Sequence, residues 1–243
     1  MRRTSFPVIA AALVALVLPA VTLADDPPPP SQFSLGLAWV ESNGNSNTST
    51  GGFDFLYKGT YGAWGLEGTA NFLRSEQEDV LTAERYGAGL RGTYAFSERW
   101  KAFAGVGWLK DQFAGLDSRL VLDGGVQYAL LTGPDHTLDL VGGLAWTSDE
   151  LVTGESVSSF GGVAGADYAW IISEGAKLTD RFRFYPSFEE SDDWRVLNEF
   201  AVEAAIVSSL ALKVAYLFRY DNEPVPGFVK TDTTVSTSLV FKF

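Results

Sequence analysis

The chain has 243 residues, 30 acidic and 18 basic side chains, a formal charge of −12, one histidine and no cysteine. That balance argues against nucleic acid and against a polybasic membrane patch. The missing cysteine excludes disulfides and a lipid-carrying thiol, and with a single histidine it leaves little for a transition-metal site, so no cofactor is expected.

The N-terminus reads "MRR", then an apolar run from Val8 to Leu18, then Thr22-Leu23-Ala24 before Asp25. A basic head, a short apolar stretch and a small-residue cleavage site predict a secretory signal peptide over 1–24. The alternative, an N-terminal anchor, needs the roughly 20 apolar residues of a spanning helix. Losing Arg2 and Arg3 with the leader would take the charge from −12 to −14. "DDPPPPSQ" (Asp25–Gln32) reads as an extended linker over 25–32. The rest, 33–243, reads as one domain. It contains no second long apolar run, so any membrane crossing must be made by strands, which satisfy their backbone in lipid only as a closed barrel.

From Phe33 the pattern is period two. Twelve runs follow, at 32–42, 48–58, 63–74, 82–96, 100–110, 116–130, 137–148, 157–172, 176–188, 194–207, 210–221 and 231–243. Each is long enough for a tilted strand to cross a bilayer. Alternate connections are tight ("KGTYG", "SER", "LTGPDH", "SEG", "SS"). The others are mostly longer and more polar ("NGNSN", "SEQEDVL", "SDELVTGES", "NEPVPGFVK"), with "DQFAG" and "EESDD" the shorter members of that set. Short turns at one end and longer loops at the other predict a twelve-stranded antiparallel up-and-down transmembrane β-barrel in a bacterial outer membrane.

The seven tryptophans fall on the apolar face near strand ends. Trp64, Trp100 and Trp170 lie at the short-turn end, and Trp39, Trp108, Trp146 and Trp194 at the long-loop end, which predicts two aromatic girdles at the two interfaces. In the last run Val235, Thr237, Leu239, Phe241 and Phe243 share one face. A closed barrel allows the chain to end there, paired with its first strand. Leu239, Phe241 and the terminal Phe243 resemble the signal read by barrel assembly machinery.

"YDNEPVPG…KTDTT", "ESNGNSNTSTGGFDF" and the stretch from "TAERYGAGL" to "DGGVQYAL" together resemble the YdiY-like group of salt-induced outer-membrane proteins, a family catalogued as a domain of unknown function. The resemblance covers nearly the whole mature chain. It implies location and fold, and it supplies no substrate and no catalytic residue.

His136 sits in the tight turn "GPDH", which argues against a His-based hydrolase, so the chain is expected not to be an enzyme. The polar face of the strands carries mixed charge: Arg181, Arg183, Arg195, Glu199, Glu203, Lys213 and Arg219, with Asp54, Lys58, Glu67, Arg85, Arg91, Lys101, Asp123, Asp139 and Asp167. These charges read either as an ion-pair ladder along the lumen wall or as a lining that selects ions. The pairings expected are Arg183 opposite Glu199, or Arg181 opposite Glu203, and Glu203 opposite Lys213. Leu56, Leu73, Phe103, Leu109, Val121 and Leu197 also point inward and would narrow the lumen. Asp221, Asn222, Glu223 and Asp232, with Asn43 and Asn45 nearby, offer oxygens to a hard cation such as Ca²⁺. The plain alternative is a turn stiffened by Pro224, Pro226 and Gly227. "SEQED" (75–79) reads as a solvated acidic loop. The functional expectation is a non-enzymatic barrel serving as a narrow passive channel for ions or small solutes. The alternative is a closed-lumen structural or stress-response envelope protein acting through its outer loops. Expected partners are the lipid bilayer, lipopolysaccharide and the assembly machinery.

Overall fold

The computed structural model describes residues 31–42 and 48–242. The expected signal peptide, nearly all of the expected linker, Asn43, Asn45 and Phe243 lie outside the described residues. The elements are β1 (Gln32–Ser42), β2 (Thr48–Tyr61), β3 (Trp64–Gln77), β4 (Val80–Ala95), β5 (Trp100–Asp111), β6 (Leu116–Thr132), β7 (His136–Leu151), β8 (Ser156–Ser173), β9 (Ala176–Pro186), β10 (Trp194–Val207), β11 (Leu210–Asp221) and β12 (Thr231–Lys242). A 3-10 turn, Gln112–Ala114, joins β5 to β6. Every strand is antiparallel to its neighbours in sequence, and β12 returns to pair with β1, so the sheet closes into a twelve-stranded up-and-down barrel. Strands run from 11 residues in β1 to 18 in β8.

Because side chains alternate along a strand, closure sorts every residue to the inside or the outside. The molecule is inside out relative to a water-soluble sandwich. Leu37, Phe53, Leu66, Leu90, Leu122, Leu144 and Val214 are among many large apolar side chains exposed on the outer wall. The buried polar residues Asp111, Thr147, Arg183 and Ser238 are interior. One small apolar cluster occupies the interior, made by Phe103, Val141, Ala145 and Val163 with Tyr185 packed against it. Glycines opposite one another on β6 and β7 let the two backbones approach closely there. A Cβ on Gly143 would lie 2.9 Å from the Gly124 carbonyl carbon and from Gly125 Cα.

Two long-loop connections differ from expectation. "SEQED" is not a loop, because β3 runs to Gln77 and β4 starts at Val80, leaving a two-residue turn at Glu78 (φ 50°) and Asp79 (φ 62°). Both residues take the left-handed conformation that a tight hairpin matching strand twist demands. "NEPVPGFVK" does more than stiffen a turn. It reaches the β5–β6 turn on the opposite wall, where Gly115 (φ 81°) leaves space for Val225 and Phe228. A Cβ at Gly115 would stand 2.8 Å from Val225 and 2.9 Å from Phe228. Val225 is buried there, as is Leu116, the residue after Gly115.

Candidate functional site: a charged lumen bridged wall to wall

The interior charges come from the inward face of nearly every strand, and they meet across the barrel as well as along it. β3 and β9 stand half a ring apart, as do β5 and β11. Arg181 on β9 nevertheless reaches Glu67 on β3 at 3.1 Å, and Arg219 on β11 reaches Asp111 on β5 at 3.3 Å. Each diametric pair is anchored at its own wall. Glu67 also takes Lys58 at 3.1 Å, Arg181 also takes Asp167 at 3.3 Å, and Asp111 accepts from Arg85 at 2.8 Å.

Two tiers result. The tier toward the short turns contains Lys58, Glu67, Asp167, Arg181 and Arg183, with Lys213 linking Asp54 at 3.3 Å to Glu199 at 3.4 Å. Arg183 holds Asp167 at 2.7 Å and its own neighbour's carbonyl, Phe182 O, at 2.8 Å. The tier toward the long loops contains Arg85, Asp111 and Arg219. There Arg119 clamps Asp149 with two hydrogen bonds, at 2.8 and 2.5 Å, and lies 3.6 Å from Asp221. Arg91 pairs with Asp123 and lies over the Phe103 ring at 4.5 Å, tying the apolar cluster to the ionic network. Above all of this lies the Val225–Phe228 segment across the outer mouth.

The register pairs Arg181 with Glu199, Arg183 with Leu197 and Glu203 with Lys177, so the anticipated Arg183–Glu199 pairing was off by two residues and Arg181–Glu203 by four. Glu203 does stand opposite Lys213 in the backbone register. Their side chains part company, however. Lys213 goes to Asp54 and Glu199, while Glu203 takes Lys242. Arg195 crosses to β7, donating to Thr147 Oγ1 at 2.9 Å, and its buried Nε has no protein partner among the described residues. The adjoining cavity, about 10 Å³, has room for one water.

Asp111, Arg119 and Asp149 were missed as lumen groups, although the parity of Arg119 with Val121 and Asp123 would have placed it. Asp221 belongs partly to this lumen, through Arg119. Its other oxygen accepts the Glu223 amide at 3.1 Å. Asn222 is bonded to Lys230 at 3.1 Å and to the Asp192 carbonyl at 2.9 Å. Glu223 is exposed, and Asp232 stands opposite Arg219 in the register. Basic groups therefore face most of these oxygens, and no cluster of three or more ligating residues arranged for a metal occurs among the described residues.

Outside, aromatic pairs mark both strand ends. Trp64 packs on Tyr94 and Trp100 on Tyr128 at 4.8 Å at the short-turn end. Phe72 packs on Tyr86 at 5.0 Å, and Trp194 on Tyr220 at 4.9 Å, at the long-loop end. Trp39, Trp108, Trp146 and Trp170 also face outward and are exposed. His136 stacks on Trp170 at 5.5 Å and meets the Tyr168 hydroxyl at 2.8 Å. Leu239 stands opposite Leu37, and Phe241 opposite Leu35, at the closing seam.

The fold and interior define a closed antiparallel barrel with an ionic lumen and an apolar exterior. Residues 35–243 match the family described as "Protein of unknown function, DUF481", and the chain belongs to that family. It is 28% identical over 223 residues to "Uncharacterized protein YdiY" of Escherichia coli (strain K12), covering 88% of this chain and 86% of that one. Among solved structures it resembles the COG4313 outer membrane channel from Pseudomonas putida F1. The TM-score is 0.51 at 14% identity, covering 90% of this chain and 97% of that one. It also resembles the NanC porin, with TM-score 0.49 at 9% identity, covering 87% and 97%.

Proposed function

We propose that this protein is a non-enzymatic barrel spanning the bacterial outer membrane, with a lumen that is closed at rest, and that it serves the envelope through its outer end. The observation carrying this reading is the pair of diametric contacts, Arg181–Glu67 and Arg219–Asp111. A side-chain bridge across a full diameter obstructs the lumen at that level and divides what space is left. The Val225–Phe228 segment on Gly115 reinforces closure at the outer mouth. The apolar outer wall between aromatic belts supports the membrane location. The resemblance to a solved outer membrane channel agrees with that location. Beyond the outer belt, Arg74 with Glu76 and Glu84, and Lys110 with Asp117, form outward ion pairs that would suit contact with lipopolysaccharide headgroups. During export the leader 1–24 would be removed, and Leu239, Phe241 and Phe243 would be read by the assembly machinery.

A second reading rests on what closes the lumen. The bridging groups are long ionic side chains, and no described strand or helix fills the interior, so separation of the two tiers would open a narrow ion path. Planar-bilayer conductance tests both readings. The folded wild type should be silent or show only brief openings, and Arg181→Gln with Arg219→Gln should give steady steps. Steady, ohmic conductance from the wild type would overturn the closed-lumen reading. Silence from the folded double variant would remove the ion-path reading.

A further inference from the structure

Among the described side chains, the outer wall carries a charged polar pair between the two aromatic belts. Asp180 on β9 and Asn198 on β10 point outward, and Asn198 Nδ2 donates to Asp180 Oδ1 at 2.6 Å. Asp180 stands between Leu178 and Phe182 along its strand and opposite Tyr168 and Phe200 on its neighbours. Asn198 stands opposite Phe182 and Phe218. Trp170, level with Leu178, lies below the pair, and Trp194, at the start of β10, lies above it. The pair is thus between the two girdles. The other outward charges whose side chains are described, such as Arg74, Glu76, Glu84 and Lys110, lie beyond Phe72, Tyr86 and Trp108. Among those described side chains, Asp180 is the one charged group on the outer face between the belts.

We propose that the outer face of β9 and β10 is a docking surface for a second copy of this chain. The inference rests on the membrane-spanning reading. A carboxylate on a lipid-facing wall is costly and is retained where something covers it. The coverage demanded here is self-complementary. A carboxamide donor sits beside a carboxylate acceptor, and a two-fold axis between two such pairs sets each donor against the other copy's acceptor. The second Asn198 N–H has only a 3.4 Å contact with the Arg181 carbonyl and is free to be exchanged. The second oxygen of Asp180 has no hydrogen bond within the described chain. Phe182, Phe200 and Val196 flank the pair and supply the apolar rim that would exclude lipid from it.

The chain's lack of cysteine makes the test direct. Val196→Cys and Val202→Cys bracket the pair on β10, and Leu66→Cys on β3 marks the opposite wall. The full chain is inserted into phosphatidylethanolamine–phosphatidylglycerol vesicles and cross-linked with a short bis-maleimide. Dimers are expected from the two β10 positions and not from Leu66→Cys. Adding Asp180→Leu with Asn198→Leu should cut dimer yield at least tenfold while the heat-shifted gel band of the folded barrel persists. Asp180→Asn, which keeps size and fold, should cut it less. Monomers from both β10 positions would overturn the proposal. So would dimers indifferent to the leucine pair, or equal dimers from Leu66→Cys. Failure to float with vesicles or to give the heat-shifted band would instead overturn the membrane reading on which the proposal stands.

Discussion

Arg183 illustrates how an interior charge is held in this barrel. Its side chain is 6% exposed and faces Asp167 at 2.7 Å through Nη2, while Nη1 donates to the backbone carbonyls of Phe182 and Ala166. Removing it leaves Asp167 to Arg181 alone, and Arg181 is already committed to Glu67 across the lumen. Breaking one side of a buried pair costs more than the pair itself contributes. Arg183→Leu should therefore lower stability by about 3 kcal/mol, read as a shift in the urea midpoint of tryptophan fluorescence in vesicles. Adding Asp167→Asn should recover part of the loss, because the orphaned carboxylate is gone. Arg183→Lys should not rescue fully, since an ammonium cannot serve a carboxylate and two carbonyls in one plane. Gly115 is the second sensitive position. Its φ of 81° and its contact with Val225 and Phe228 leave no place for a side chain. Gly115→Val should cost roughly 1–3 kcal/mol and expose the 222–230 segment to limited proteolysis from the outer side. Unchanged proteolysis would mean that the segment is held by other contacts.

The β3–β4 hairpin shows where strand elements were legible and where they were not. Strict alternation located all twelve strands to within a few residues, because one face of each had to be apolar whatever the loops did. Polarity then misled at 75–79. An acidic run reads as loop in water, yet above a membrane belt a strand can stay paired with both faces polar, and β3 and β4 do so to Gln77 and Val80. Glu78 and Asp79 adopt φ 50° and 62° there, a conformation that asparagine and glycine accept more readily. Glu78→Asn with Asp79→Gly should stabilise the hairpin by about 0.5–1 kcal/mol. A drop in the urea midpoint would mean that those side chains contribute contacts worth more than the strain. Parity also assigned the inner charges of each strand, but not their partners. Arg181–Glu67 and Arg219–Asp111 join residues whose strands are half a ring apart, and no local spacing encodes a diameter. Asp180 was legible by the same parity that placed Arg181, and was hidden by its neighbour's charge.

Closure of the whole molecule is least complete where the chain's two ends meet. The β6–β7 ladder runs from Leu116–Leu151 to Thr132–Thr137, whereas β1 and β12 pair only from Ser34–Lys242 to Leu37–Leu239. Beyond Leu37 the seam makes no further ladder pair among the described residues, although β1 continues to Ser42 and β12 begins at Thr231. The side chains flanking the gap reflect it: Trp39 is 71% and Val235 70% exposed, the highest values among the large apolar residues. An unpaired edge facing lipid needs another source of hydrogen bonds, and the β12 sequence there offers hydroxyls at Thr231, Thr233, Thr234, Ser236, Thr237 and Ser238 that could serve it. The long-loop half of this seam should therefore open before any other part of the wall. Hydrogen exchange of the folded protein in vesicles should find β12 amides between Thr231 and Thr237 that point toward β1 exchanging well before those of β6 and β7. Amides near Leu239 on the same strand should stay protected. Uniform protection along β12 would mean that the seam is zipped in the bilayer. The barrel's resistance to opening would then rest on the diametric ion pairs and the wall equally, instead of being graded from this seam to the opposite side.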